Sequence, residues 1–133
     1  MKNGKIIPSI FILSVILCAC ANDPPAKSVK IGKEADGTKI NFNVSDLLII
    51  NLESNPTTGY SWGAAENDSS RLKLIDKTYI PDQPQKMGSG GNVLFKYLAK
   101  EAGSVKLKLT YARPWEKDIP PADSLTILIE IRK

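Results

Sequence analysis

The sequence predicts an all-β fold, an immunoglobulin-like antiparallel β-sandwich of seven or eight strands. Three features predict it. Short apolar runs alternate with polar residues at a period of two, turn residues separate them roughly every eight to twelve positions, and no stretch carries a helical period. A small closed barrel built from the same strands is the alternative. The 133-residue chain fits one such domain, residues 29–133, once a leader and a tether are set aside. The remaining length of about 110 residues suffices for a core that needs no staples.

The leader begins with the basic stretch Met1-Lys2-Asn3-Gly4-Lys5 and continues through the apolar run Ile6 to Leu17. That run is too short to cross a bilayer core of about 30 Å as a helix but suits a secretory signal, residues 1–19. Leu17-Cys18-Ala19-Cys20 resembles a bacterial lipobox: an aliphatic residue, then a small one before the cysteine that takes the lipid. Cys20 fits and Cys18 does not, because Leu17 would then stand where a small residue is needed. Residues 20–28, with Pro24-Pro25, read as an extended tether. Ordinary signal-peptidase cleavage at Ala19-Cys20-Ala21 is the alternative. The expectation is an exported protein, lipid-anchored to the cell envelope through Cys20 or released from it.

In the body, Val29 and Ile31 make a short first strand and Glu34 to Gly37 a turn. Ile40, Phe42 and Val44 alternate with asparagines as in a half-buried strand. Ser45-Asp46 turns the chain into Leu47 to Leu52, almost wholly aliphatic and therefore central. Gly59 to Ala64 follows, with Tyr60 and Trp62 expected in the core. Leu72 to Ile80 alternates imperfectly, which points to a bulge. Val93 to Leu98, Val105 to Tyr111 and Leu125 to Ile131 alternate cleanly, the first two joined by a turn at Lys100 to Gly103.

Three connections are unusual. Asn55-Pro56-Thr57-Thr58-Gly59-Tyr60 sets two threonines between a proline that fixes φ and a glycine that frees it, giving a stiff tip. Gly88-Ser89-Gly90-Gly91 lies in a long loop rich in turn residues, and Arg113-Pro114-Trp115 opens another. Successive sandwich connections alternate between the two ends. The connections at 53–59, 81–92 and 112–122 are separated by turns near 65–71 and 100–103, so all three should gather on one edge. An exposed Trp115 beside Arg113 has the composition of a binding hot spot.

Composition narrows the function further. The chain has no histidine, which removes Ser-His and Cys-His nucleophiles and every His-containing metal site. Its two cysteines lie in the leader, and its carboxylates mostly fall in turns. No catalytic residue, metal or cofactor is expected. The formal charge of +4 includes two leader lysines and is scattered, so nucleic acid is not an expected partner. A monomer is expected.

The three loops, in this order, resemble the chagasin family, inhibitors of papain-like cysteine peptidases. That family is marked by an Asn-Pro-Thr-Thr-Gly-aromatic loop, a Gly-x-Gly-Gly loop and an Arg-Pro-Trp loop. The resemblance covers roughly residues 29–132 and implies a wedge that blocks a peptidase cleft without chemistry. It implies Thr57 and Thr58 at the centre, held in shape by Asn55, Pro56 and Gly59. Gly88, Gly90 and Gly91 would let bare backbone approach one wall of the cleft, and Arg113, Pro114 and Trp115 would grip the other. The stretch Ile119-Pro120-Pro121-Ala122 and the lipobox depart from the family pattern. The rival reading is an immunoglobulin-like surface lipoprotein whose loops bind a glycan or an envelope protein.

Overall fold

The computed structural model describes residues 26–84 and 86–133. The leader, Cys20 and most of the tether lie outside the described residues. Eight strands follow one another: β1 Ser28–Ile31, β2 Lys39–Asn43, β3 Leu47–Ser54, β4 Ser61–Glu66, β5 Leu72–Pro81, β6 Gly91–Ala99, β7 Gly103–Ala112 and β8 Asp123–Arg132. They form two four-stranded sheets, ordered β1-β3-β6-β5 and β2-β8-β7-β4. The expected sandwich is present with eight strands, but its sheets are mixed. β1 pairs with β3, and β2 with β8, in parallel.

The chain direction explains the parallel pairs. Each connection returns the chain to the opposite end, so odd-numbered strands run one way and even-numbered strands the other. β1 beside β3 and β2 beside β8 share parity and must be parallel; the remaining neighbours differ in parity and are antiparallel. The same rule puts residues 32–38, 55–60, 82–90 and 113–122 at one end, the rim. Residues 44–46, 67–71 and 100–102 lie at the other, the base.

The two-residue period decides what is buried. Leu48, Ile50 and Leu52 of β3, Val93, Phe95 and Tyr97 of β6, Val105, Leu107 and Leu109 of β7, and Leu125, Ile127, Ile129 and Ile131 of β8 face one another across the sandwich. Among the described residues all eight strands contribute to one apolar cluster, so residues 26–133 carry a core of their own. β5 carries the expected bulge, between Leu74 and Asp76, and β4 a second between Ala64 and Glu66. On the open side of the sandwich, the Lys77 ammonium lies 5.2 Å from the centre of the Phe95 ring and donates to the Trp62 carbonyl at 2.8 Å. An inward-pointing charge on an edge strand also discourages pairing with a further strand. At the base, the buried Asp46 carboxylate accepts from the backbone N–H of Lys27 and of Asn43 at 2.9 and 2.8 Å, fixing where β1 and β3 begin.

Tyr97 is fully buried, and its hydroxyl has no hydrogen-bond partner among the described residues. Burial pushes its pKa from 10.0 up to about 12. Below pH 10 both folded and unfolded chains keep this proton. As pH rises from 10 towards 12 the unfolded chain loses it first, so stability falls through that window. Tyr97→Phe should therefore leave stability at neutral pH unchanged or raised by up to about 1 kcal/mol, and flatten the alkaline decline. Thermal melts of both proteins between pH 7 and 11.5 test this, and an equally steep decline in the variant would refute it.

Candidate functional site

The rim is built from the first unusual loop outward. β3 ends at Ser54, and Asn55 then caps a single 3-10 turn, Pro56–Thr58. Proline at the first position of the turn sacrifices no hydrogen bond, and Gly59, at φ 82°, ends it in a left-handed conformation that L side chains rarely adopt. The Asn55 side-chain oxygen accepts from the Thr57 backbone N–H at 3.2 Å and from the Thr57 hydroxyl at 2.6 Å. The Thr58 hydroxyl donates to the Asn55 carbonyl at 2.7 Å. Both threonines are exposed at the tip, yet both hydroxyls are engaged within it.

The second loop is tied to the first through the same asparagine. The Asn55 side-chain amide donates to the Gly88 carbonyl at 3.1 Å. A Cβ on Gly90 would come within 3.1 Å of the Ser54 carbonyl oxygen, so a larger residue would push the two loops apart by a few tenths of an ångström. Gly88 is exposed, with φ 79°. Gly91 departs from the role the resemblance implies. It is buried as the first residue of β6, where a Cβ would collide with the backbone of Ile80 and Pro81. Its missing side chain serves sheet packing and leaves no backbone there for a partner to approach.

The third loop locks onto the first from the other side. Arg113 Nε donates to the Thr58 carbonyl at 3.1 Å, and the guanidinium carbon stands 4.5 Å from the centre of the Tyr60 ring. Its Nη1 pairs with Glu116 at 3.2 Å. The Glu116 N–H closes a turn on the Arg113 carbonyl at 3.1 Å, with Pro114 and Trp115 in the middle. Trp115 is 66% exposed, and the edge of its indole lies against Gly59 where a Cβ would overlap it. Thus Asn55 to Gly59 is flanked by Gly88 and Gly90 on one side and by Arg113, Pro114 and Trp115 on the other.

Sequence reasoning misplaced Tyr60, and it set Tyr111 on the inner face of its strand without giving it a part in the rim. Tyr60 is half-buried between the Arg113 guanidinium and Tyr111, whose ring centre is 5.3 Å away. Tyr111 in turn stacks on the buried Trp62 at 5.1 Å, and Trp62 Nε1 donates to the Glu53 carbonyl at 2.9 Å. The Tyr111 hydroxyl accepts from the Asn55 backbone N–H at 3.0 Å. Aromatic stacking of this kind adds about 0.5–1.5 kcal/mol per pair beyond burial. The available signal was positional: Tyr111 ends the inward-facing series of β7, level with the loops. Among the described residues no group of three or more cysteine or acidic side chains could hold a metal.

Residues 41–129 match the family described as "Chagasin family peptidase inhibitor I42". The chain belongs to the chagasin family. This chagasin-family chain is accordingly an inhibitor and not an enzyme. Chagasin from Trypanosoma cruzi is 31% identical to it over 107 residues, covering 77% of this chain and 97% of that protein. Amoebiasin-2 from Entamoeba histolytica is 32% identical over 125 residues, covering 92% and 98%. The crystal structure of a cysteine protease inhibitor from Entamoeba histolytica aligns with a TM-score of 0.75 at 28% identity, covering 83% of this chain and 100% of that one.

Gly59→Ala tests the junction of the first and third loops. It should cost about 1–2 kcal/mol of stability, read as a lower urea midpoint, and shift the fluorescence of the displaced Trp115. An unchanged spectrum and midpoint would mean that the indole does not rest on Gly59 in solution.

Proposed function

We propose that this chain inhibits papain-like cysteine peptidases by seating its rim in the substrate cleft as a preformed plug. The observation that carries the reading is the joining of three loops into one surface through Asn55 and through the contact of Gly59 with Trp115. Thr57 and Thr58 occupy the middle, the exposed Gly88 lets one flank come close to a cleft wall, and Trp115 supplies an apolar anchor to the other.

Resistance to cleavage follows from the tip's hydrogen bonds. A peptidase polarises the carbonyl of an extended substrate at its nucleophile. In this tip the Asn55, Pro56 and Thr58 carbonyls already accept from Thr58 N–H, Gly59 N–H and Arg113 Nε. A closed turn of this kind neither lies extended nor frees those oxygens. Because its shape exists before binding, little ordering entropy is lost on docking. The expected outcome is that purified residues 26–133 suppress a papain-like cysteine peptidase and remain uncut. Trp115→Ala should weaken inhibition by about 2–4 kcal/mol, mainly through faster dissociation. Full peptidase activity at micromolar inhibitor would end the reading, and equal inhibition constants would remove Trp115 from the contact.

The leader supports an anchored form, with lipid on Cys20. β1 enters its sheet at the base, because Ser28 pairs with Leu47 at the start of β3, while the inhibitory loop follows the end of β3. A tether reaching β1 from a membrane thus meets the domain at the end opposite the rim. On this reading Cys20→Ser moves the protein from the membrane fraction to the soluble fraction. Unchanged membrane association in the variant would exclude the anchor.

A further inference from the structure

Met87 is the most exposed large apolar side chain of the described residues, with a relative exposure of 105% against 66% for Trp115. It stands on the rim in the second loop, within a small closed turn. The Ser89 N–H donates to the Lys86 carbonyl at 3.0 Å, and the Lys86 N–H to the Ser89 hydroxyl at 2.9 Å. Met87 and Gly88 occupy the middle of that turn, where the positive φ of Gly88 fits the second central position. The Asn55 amide holds the turn against the first loop through the Gly88 carbonyl. The thioether is therefore displayed from an ordered base, beside the surface assigned to the peptidase. The chain's other methionine is Met1, and both cysteines precede residue 26, so Met87 carries the only sulfur of the folded domain.

We propose that Met87 is a modification site, an oxidation-sensitive contact through which a hydroperoxide loosens the inhibitor's grip on its peptidase. The inference rests on the rim reading above. A sulfur lone pair attacks the terminal oxygen of the hydroperoxide; an S–O bond forms and the O–O bond breaks. The proton carried by the transferred oxygen passes to the departing oxygen, which leaves as water or an alcohol. Sulfur is oxidised by two electrons and the hydroperoxide is reduced by two. Full exposure leaves this sulfur open to the oxidant, whereas the folded domain offers no thiol to compete for it. The product is a polar, chiral sulfoxide on a side chain that was apolar. Docking would then strip water from a strong acceptor without a matched donor, which opposes binding. Methionine sulfoxide reductases reverse the change, so the site can cycle.

The experiment uses residues 26–133, treated with hydrogen peroxide, cleared of it with catalase, and then assayed against fresh cysteine peptidase. The peptide containing Met87 should gain one oxygen atom, and the inhibition constant should rise by about tenfold or more, the scale of one buried apolar side chain. Met87→Leu supplies the second arm, in which treated and untreated samples of the variant should inhibit alike. A bound peptidase should also slow oxidation of Met87 in the parent. Parent protein that is oxidised at Met87 and inhibits as tightly as before overturns the switch. So does a variant that loses inhibition on treatment as the parent does, because the damage then lies elsewhere. If untreated protein fails to inhibit at all, the rim reading itself has failed, an outcome this design keeps separate.

Discussion

Asn55 is the residue on which the rim depends, because each of its polar atoms is bonded within the rim and together they join its own turn to the second loop and to β7. Its side-chain oxygen holds the Thr57 N–H and hydroxyl, and its side-chain nitrogen holds the Gly88 carbonyl. Its backbone N–H reaches the Tyr111 hydroxyl, and its carbonyl takes the Thr58 N–H and hydroxyl. Aspartate in its place would lose the donor to Gly88, and glutamine would set the amide one methylene too far out. The position needs a short side chain with a donor and an acceptor at its end, which describes asparagine alone.

That knot requires a base that does not shift, and the aromatic column supplies it. Trp62 bonds to the carbonyl of Glu53 on the facing sheet, Tyr111 stacks on Trp62, Tyr60 on Tyr111, and the Arg113 guanidinium covers Tyr60. The column runs from between the two sheets to the outermost loop, crossing from β3 through β4 and β7. Arg113 finishes it by bonding to Thr58, so its charge is spent within the rim and braces the tip. The stiffness of the inhibitory surface is thereby coupled to the packing of the core.

Strand positions were legible because burial on one face imposes a period of two, and the sequence of β6, β7 and β8 obeys it. The gathering of the loops at one end was legible too, since it follows from alternating connections alone. The parallel edges were not. They depend on which strands become neighbours, a tertiary choice that no local pattern encodes. Tyr60 was misread because an aromatic beside a strand is usually buried, whereas here a cation from a distant loop covers one face and leaves the ring half in solvent. Gly91 was misread for a related reason. A run of glycines looks uniformly permissive, but Gly88 bends the chain, Gly90 lets two loops touch and Gly91 fills a strand position with no room for a side chain.

These distinctions separate two kinds of rim residue. Asn55, Gly59, Gly90 and Arg113 direct their bonds or their lack of bulk inward, and the internal geometry of the rim is enough to explain them. Met87 and Trp115 expose most of their surface, and their bulk is left for a partner to bury. Trp115 belongs to both kinds, since its edge rests on Gly59 while its face stays open. A residue that satisfies the fold can be read from the chain that folds. One that satisfies a partner is read only from what the fold leaves uncovered, which is why Met87 carries no signal in the sequence and a clear one in three dimensions.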